Sequence, residues 1–312
     1  MSTVLARPVA HRIRAYVRLA KLDIFDYYLS LLVVWSLLAP AVRWQPRTLA
    51  VLLVLLAGQV CVAAAMVTFD DVTGYRDGSD AANYGPDAPA RRLARKPLLA
   101  GTLTEPEAIR FGWLTAAAGT ALWALAVAVA PHHPLWTVLV AALCLASSVQ
   151  YSWGVKLSYR GGQEVFLAGL GIGWVLAPYG LLAGTPGGFV AVQAVLFGLG
   201  PLLFGVWSNT NDIAGDAAVG RITVAARVSA RGNAAFIAAV TVGEMLLIVL
   251  APAFGAPWWF PLVLLPVVLA RIGQLVTGLG RGDILAARRL GIRAHRLTVA
   301  LLVLANLVAA WV

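Results

Sequence analysis

Charge is scarce in this sequence. Asp, Glu, Lys and Arg make up 12% of its 312 residues, 60% are hydrophobic, and the mean hydropathy is +0.81. Soluble globular proteins carry about a quarter charged residues, so that class is excluded. Cysteine is nearly missing as well: Cys61 and Cys144 both fall inside apolar runs, where small buried thiols are expected rather than a disulfide framework or metal ligands. No polar stretch is long enough for a soluble domain. The longest, roughly 70–107, is broken by Gly74, Gly78, Gly85, Pro86, Pro89 and Pro97. A single membrane domain over 1–312 is therefore expected. The start lacks the apolar core and small-residue cleavage site of a signal peptide. Its segment 1–22 is basic and amphipathic, which reads as an interfacial helix.

What the sequence does have is apolar length. Runs of about 20 residues, enough to cross a bilayer, fall at 24–42, 48–69, 108–130, 134–151, 163–183, 188–208, 233–253, 257–278 and 296–312. The sixth and eighth are interrupted by Gly and Pro, which membrane helices tolerate. Nine crossings with a cytoplasmic N-terminus put the C-terminus outside. They also leave only Arg43 and Arg47 on the outer side, with every other cation, Arg271 among them, on the inner one. The formal charge of +10 then reflects topology, anionic lipid and anionic substrate rather than nucleic acid. The expected location is the bacterial plasma membrane.

The acids gather on the same side. Asp70, Asp71, Asp77 and Asp80 end the second run; Asn209, Asn211, Asp212 and Asp216 end the sixth. Carboxylates at the mouth of a membrane bundle are costly to desolvate unless neutralised, and a divalent metal with polyphosphate does this. Asp212 and Asp216, four apart, share a helical face; Asp70 and Asp77, seven apart, do so two turns apart. Solvated helix ends are the plain alternative. A phosphate loop is absent, and neither cluster has the spacing of a calcium loop. Glu244 is the one acid well inside a span, where it reads either as a functional carboxyl or as a protonated group bonded to a neighbouring helix.

These residues resemble the UbiA superfamily of intramembrane prenyltransferases. The family's second motif, Asp-x-x-x-Asp-x-x-x-Gly-Arg-x-Thr, is matched by Asp212, Asp216, Gly220, Arg221 and Thr223. Its first, Asn-Asp-x-x-Asp-x-x-x-Asp, is altered: Asp70 stands for the Asn, Asp71 matches, Gly74 replaces the next Asp, and Asp77 is nearest to the last. Restoring the pattern with Gly74→Asp is expected to be tolerated. Arg95-Lys96-Pro97-Leu98-Leu99-Ala100-Gly101 is similar to the segment before the family's third helix. Tyr151-Ser152 with Lys156, Tyr159 and Arg160 is similar to the loop after the fourth, and YRGGQEVFLAG to the branch that makes menaquinone.

The resemblance implies an all-α integral membrane protein of nine transmembrane helices around a central cavity, with 70–107 and 209–231 as cytoplasmic loops. It implies Mg²⁺-dependent transfer of an isoprenyl group from a prenyl diphosphate to a lipophilic, aromatic or quinone-precursor acceptor. Asp70, Asp71, Asp77, Asp212 and Asp216 are the expected metal ligands, and Asp71, Asp212, Asp216 and Lys156 the expected catalytic set. Arg92, Arg95, Lys96, Tyr151, Tyr159, Arg160, Asn209, Asn211 and Arg221 are expected to bind substrate. Aromatic faces at Phe69, Tyr75, Phe204 and Trp207 are candidates to shield a carbocation. Two other readings stay open: a terpene cyclase that uses the same ionisation, and a transporter, which would place its ionisable groups near the midplane. Oligomeric state is left open.

Overall fold

The structure is a computed structural model describing residues 9–84 and 93–310. Among the described residues six helices are long and apolar enough to cross a membrane: Pro46–Asp77, Glu105–Val129, Gln163–Ala183, Gly188–Asn211, Ala230–Phe254 and Ile284–Ala309. The other three expected spans are shorter apolar helices, Tyr27–Leu37, Leu135–Gln150 and Leu265–Gly280. Nine apolar helices therefore sit where nine runs stand, but three are too short to count as crossings on length alone. The third of these is short because proline punctuates it: Phe260–Val263 stops before Leu265–Leu275, which ends in a π-helical turn, Val276–Gly280. Among the described residues the only pairing of extended backbone is an isolated bridge between Arg160 and Ile222.

Apolar side chains fill the centre of the bundle, with Tyr27, Leu55, Met66, Trp123, Trp174, Phe197 and Phe260 wholly enclosed. Lipid is as apolar as this core, so hydrophobicity alone gives neighbouring helices little reason to associate; close packing and buried polar pairs do. At the contact of Gln163–Ala183 with Gly188–Asn211, a β-carbon on Gly171 would lie 2.6 Å from the Cα of Gly198. Polar pairs supply the rest. Gln193 and Asn306 exchange amide hydrogen bonds at 2.6 and 2.9 Å, and Asn306 also donates to Ser36 Oγ at 2.9 Å.

Arg271 corrects its sequence assignment. Counted above with the cations of the inner side, it lies wholly buried in Leu265–Leu275, where it pairs with Glu244 of Ala230–Leu250. Glu244 is accordingly bonded to a neighbouring helix, through the Arg271 guanidinium. Gln274 accepts from Arg271 at 3.0 Å and donates to the carbonyls of Leu203 and Ala287, so a third side chain ties the pair to two more helices.

The N-terminal segment is helical over Val9–Ala20. It docks on one end of the bundle, burying Ala15 and Leu19 against Val72, Leu98, Leu103 and Ala108, while Arg12 pairs with Glu107 at 2.7 Å. The expected loop 70–107 is helical at its start: Pro46–Asp77 carries Asp70, Asp71 and Asp77 on its last turns, and Ser79–Tyr84, with Asp80, follows. The 209–231 segment holds two short helices, Ile213–Ala218 and Val224–Arg227.

Candidate active site

Both acidic clusters meet at this end of the bundle. Asp70 accepts from Ser152 Oγ at 2.7 Å and from Arg221 Nη2 at 3.3 Å, and Arg221 Nε lies 3.7 Å from Asp216 Oδ1. One guanidinium thus spans the two motifs. It stacks over the Tyr159 ring at 4.4 Å and donates to its hydroxyl at 3.1 Å, while that hydroxyl donates to Asp77. Burial works against the Arg221 charge, yet the surrounding Asp70 and Tyr159 raise its pKa and keep it cationic.

Asp71 is 1% exposed and lies deeper. Its Oδ1 accepts from Lys21 and from Lys96 at 2.7 Å, and the same Lys96 ammonium donates to Asp80 Oδ1 at 2.6 Å. The Oδ2 of Asp71 is buried without a partner. Asp212 caps Gly188–Asn211, and its carbonyl accepts from the Asp216 N–H at 2.9 Å, so the helical i, i+4 relation survives although the long helix has ended. Burial pushes the Asp216 carboxyl up to about 7, with Asp212 adding to the rise and Arg221 opposing it; burial likewise pushes Asp80 up to about 6 against the pull of Lys96.

Part of this cluster lines a cavity of about 760 Å³. Asp70, Asp80, Asp212 and Asp216 face it together with Lys21, Arg95, Lys96 and Arg221. Arg18, Arg288 and Arg289 contribute from the first and last helices, and Leu22, Phe25, Leu167 and Phe204 give it an apolar side. Carboxylates, cations and apolar wall in one concave space suit a ligand that is polyanionic at one end and hydrocarbon at the other.

Solved structures with this fold span nearly the whole chain. An apo UbiA homolog from Aeropyrum pernix K1 is 16% identical, with a TM-score of 0.64 over 93% of this chain and 99% of that one. A UbiA homolog from Archaeoglobus fulgidus bound to GPP and Mg²⁺ is 13% identical, with a TM-score of 0.65 over 96% and 100%. A digeranylgeranylglyceryl phosphate synthase is 14% identical, with a TM-score of 0.61 over 96% and 98%. No curated protein matches the chain in sequence. The family model of the UbiA prenyltransferase family matches residues 29–290. The chain belongs to this family.

As a UbiA prenyltransferase it is a multi-pass membrane enzyme, and its predicted site residues divide in two. Asp70, Asp212, Asp216, Arg95, Lys96, Tyr151, Asn209 and Arg221 line the cavity, and Asp71 joins them through Lys96. Asn209 is there to hold Gln163 and Glu164, and Glu164 in turn accepts from the Val224 N–H; Arg95 pairs with Asp23. Asp77 and Lys156 instead line a separate pocket of about 240 Å³ beside Trp153, with the Lys156 ammonium 5.2 Å from the Tyr159 ring. Tyr159 accepts from Arg221, Arg160 and Asn211 are exposed, and Asn211 donates to Asp212 at 2.8 Å. Arg92 lies outside the described residues. Of the aromatic candidates Phe204 reaches the cavity; Phe69 packs on Trp113 and Trp153, Trp207 is wholly enclosed and Tyr75 is exposed.

Sequence reasoning missed Lys21, Arg18, Arg288 and Glu164. Lys21 sits at the end of a segment whose amphipathicity points only to an interface, and nothing in its spacing links it to Asp71. A signal for Glu164 did exist, since it is an acid at the start of an apolar run.

Proposed function

We propose that the enzyme binds a prenyl diphosphate together with Mg²⁺ in the 760 Å³ cavity and transfers the isoprenyl group to a lipophilic, aromatic or quinone-precursor acceptor. The observation that carries this reading is the Asp70–Arg221–Asp216 bridge, which brings two acidic motifs 142 positions apart in their first aspartates, Asp70 and Asp212, to one cavity mouth. A homolog of the same fold bound to GPP and Mg²⁺ supports it.

The donor set fits such a metal. Among the described residues no three or more His, Cys, Asp or Glu side chains form a ready-made cage. Mg²⁺ seldom needs one, being held by one or two carboxylates plus substrate phosphates and water. Asp70, Asp212 and Asp216 would hold it from the cavity wall, with the unpartnered Oδ2 of Asp71 behind them. When bound it supplies positive charge to the departing diphosphate.

The chain's own groups do the rest. Lys21, Lys96 and Arg221 would take phosphate oxygens and offset the negative charge that grows as the allylic C–O bond breaks. Their present carboxylate partners keep them poised at the mouth. The apolar wall at Phe25, Leu167, Tyr151 and Phe204 would hold the hydrocarbon tail and keep water from the cation. An electron-rich carbon of the acceptor then attacks that cation and loses its proton. The cation-rich face that carries the site is assigned to the cytoplasm, which places the N-terminus inside and the C-terminus outside.

The test is incubation of purified protein in detergent with Mg²⁺ and prenyl diphosphates of several lengths, with and without aromatic acceptors, followed by mass spectrometry. A prenylated acceptor, lost on chelation of the metal, is expected. Hydrocarbon formed without any acceptor would assign the enzyme as a cyclase, and no diphosphate release under any condition would end the reading.

A further inference from the structure

Glycine stands at both positions where the first motif would carry its later carboxylates, Gly74 and Gly78. Each glycine has a structural consequence. Gly78 has φ +82°, a left-handed conformation that a β-carbon makes costly, and it ends the helix Pro46–Asp77. The chain turns there into Ser79–Tyr84, held by the Ala82 N–H donating to the Gly78 carbonyl at 3.0 Å and the Ser79 N–H donating to Asp77 Oδ1 at 3.0 Å. The turn lays Asp80 back onto the preceding helix. A β-carbon built on Gly74 would stand 2.9 Å from Asp80 Cγ and 3.0 and 3.1 Å from its two carboxyl oxygens. The Asp80 carboxyl thus fills the space into which a side chain at position 74 would project.

Its surroundings are those of a site carboxylate. Asp80 lines the 760 Å³ cavity and shares the Lys96 ammonium with Asp71, whose Oδ2 is buried and unpartnered. The short helix that carries it also touches the second motif, since a β-carbon on Gly215 would lie 2.6 Å from Asn83 Oδ1. A turn residue, a vacated helix position and a displaced acid together make one device.

We propose that Asp80 supplies the carboxylate that position 74 lacks, reaching the metal–diphosphate site from the far side of the Gly78 turn. The inference rests on the prenyl-diphosphate reading above and assigns one of its ligands. It reverses the expectation that Gly74→Asp is harmless: the new side chain must displace the Asp80 carboxyl from its place beside Lys96.

Full-length protein in detergent is titrated with Mn²⁺ in the presence of inorganic diphosphate, with free Mn²⁺ read by electron paramagnetic resonance and folding checked by thermal unfolding. Asp80→Asn, close to the native shape, and Asp80→Ala should each weaken Mn²⁺ binding by about tenfold or more. Gly74→Asp alone should weaken it too, whereas Gly74→Asp combined with Asp80→Ala should recover binding to within about threefold of wild type. Asp80→Asn binding as wild type does, or a folded double variant as weak as Asp80→Ala, would overturn the assignment. Asp216→Ala separates the two levels of the argument. If it abolishes binding while Asp80→Asn does not, only the role of Asp80 falls; if wild type itself binds no Mn²⁺ with diphosphate, the metal-dependent reading falls with it.

Discussion

Glu244 and Arg271 form a bidentate pair inside the bundle, Nε to Oε2 at 2.6 Å and Nη2 to Oε1 at 3.0 Å, with neither side chain exposed. Removing one partner strands a charge in low dielectric, which costs about 3–5 kcal/mol, whereas replacing both by apolar side chains of similar size is close to neutral. Arg271→Met should therefore destabilise the protein strongly in thermal unfolding, and Glu244→Leu with Arg271→Met should recover most of the loss. A single variant as stable as wild type would mean that the interior is wetter than its packing implies.

Asp212→Ala and Asp216→Ala should each abolish turnover of a prenyl diphosphate while leaving the unfolding temperature near that of wild type, since both carboxylates face the cavity rather than the core. Asp71→Ala should also abolish turnover, but with a lower unfolding temperature, because Lys21 and Lys96 each lose an acceptor, Lys96 keeping Asp80. Steady-state kinetics and thermal scans on the same preparations decide this.

Lys21→Ala and Lys96→Ala should raise KM for the prenyl diphosphate by about tenfold, equivalent to ~1.4 kcal/mol per lost contact. Arg160→Ala and Lys156→Ala should change it little, because Arg160 is exposed and Lys156 faces the smaller pocket. Equal effects in all four variants would mean that the whole rim acts as a diffuse field instead of through placed contacts.

Single cysteines at Ser79 and Ala218, in a background without Cys61 and Cys144, should label alike with an impermeant thiol reagent in intact cells, and a cysteine at His133 should label oppositely. The geometry behind this is antiparallel: Arg76 pairs with Glu105 at the acidic end, while Arg47 donates to the carbonyls of Val129 and Ala130 at the other. Opposite labelling of Ser79 and Ala218 would break the frame on which the site depends.

The long helices and the second motif were legible in the sequence because both are local: about 20 apolar residues announce a span, and an i, i+4 pair of acids keeps its geometry whatever surrounds it. Asp70, Arg95, Lys96 and Arg221 were also recoverable, through short segments with a family pattern. What stayed hidden depends on contacts between distant parts of the chain. Arg271 was counted with the inner-side cations because its ion partner lies 27 residues earlier on another helix. Lys21 gave no sign of reaching Asp71, and Asp80 none of occupying the place of residue 74, because both depend on how a chain reversal packs.

The link between Ser36, Gln193 and Asn306 has a consequence for how the protein is made. Ser36 belongs to the first apolar helix of the bundle, Gln193 to the middle of the chain and Asn306 to the last helix, so they emerge from the ribosome in that order. Until the last helix enters the bilayer, the Gln193 amide lacks its reciprocal partner in a solvent that offers no hydrogen bonds. A partly synthesised chain carries that unmet demand in its interior, and the link closes only when Asn306 arrives. Completion of this polar link is thereby coupled to insertion of the last helix.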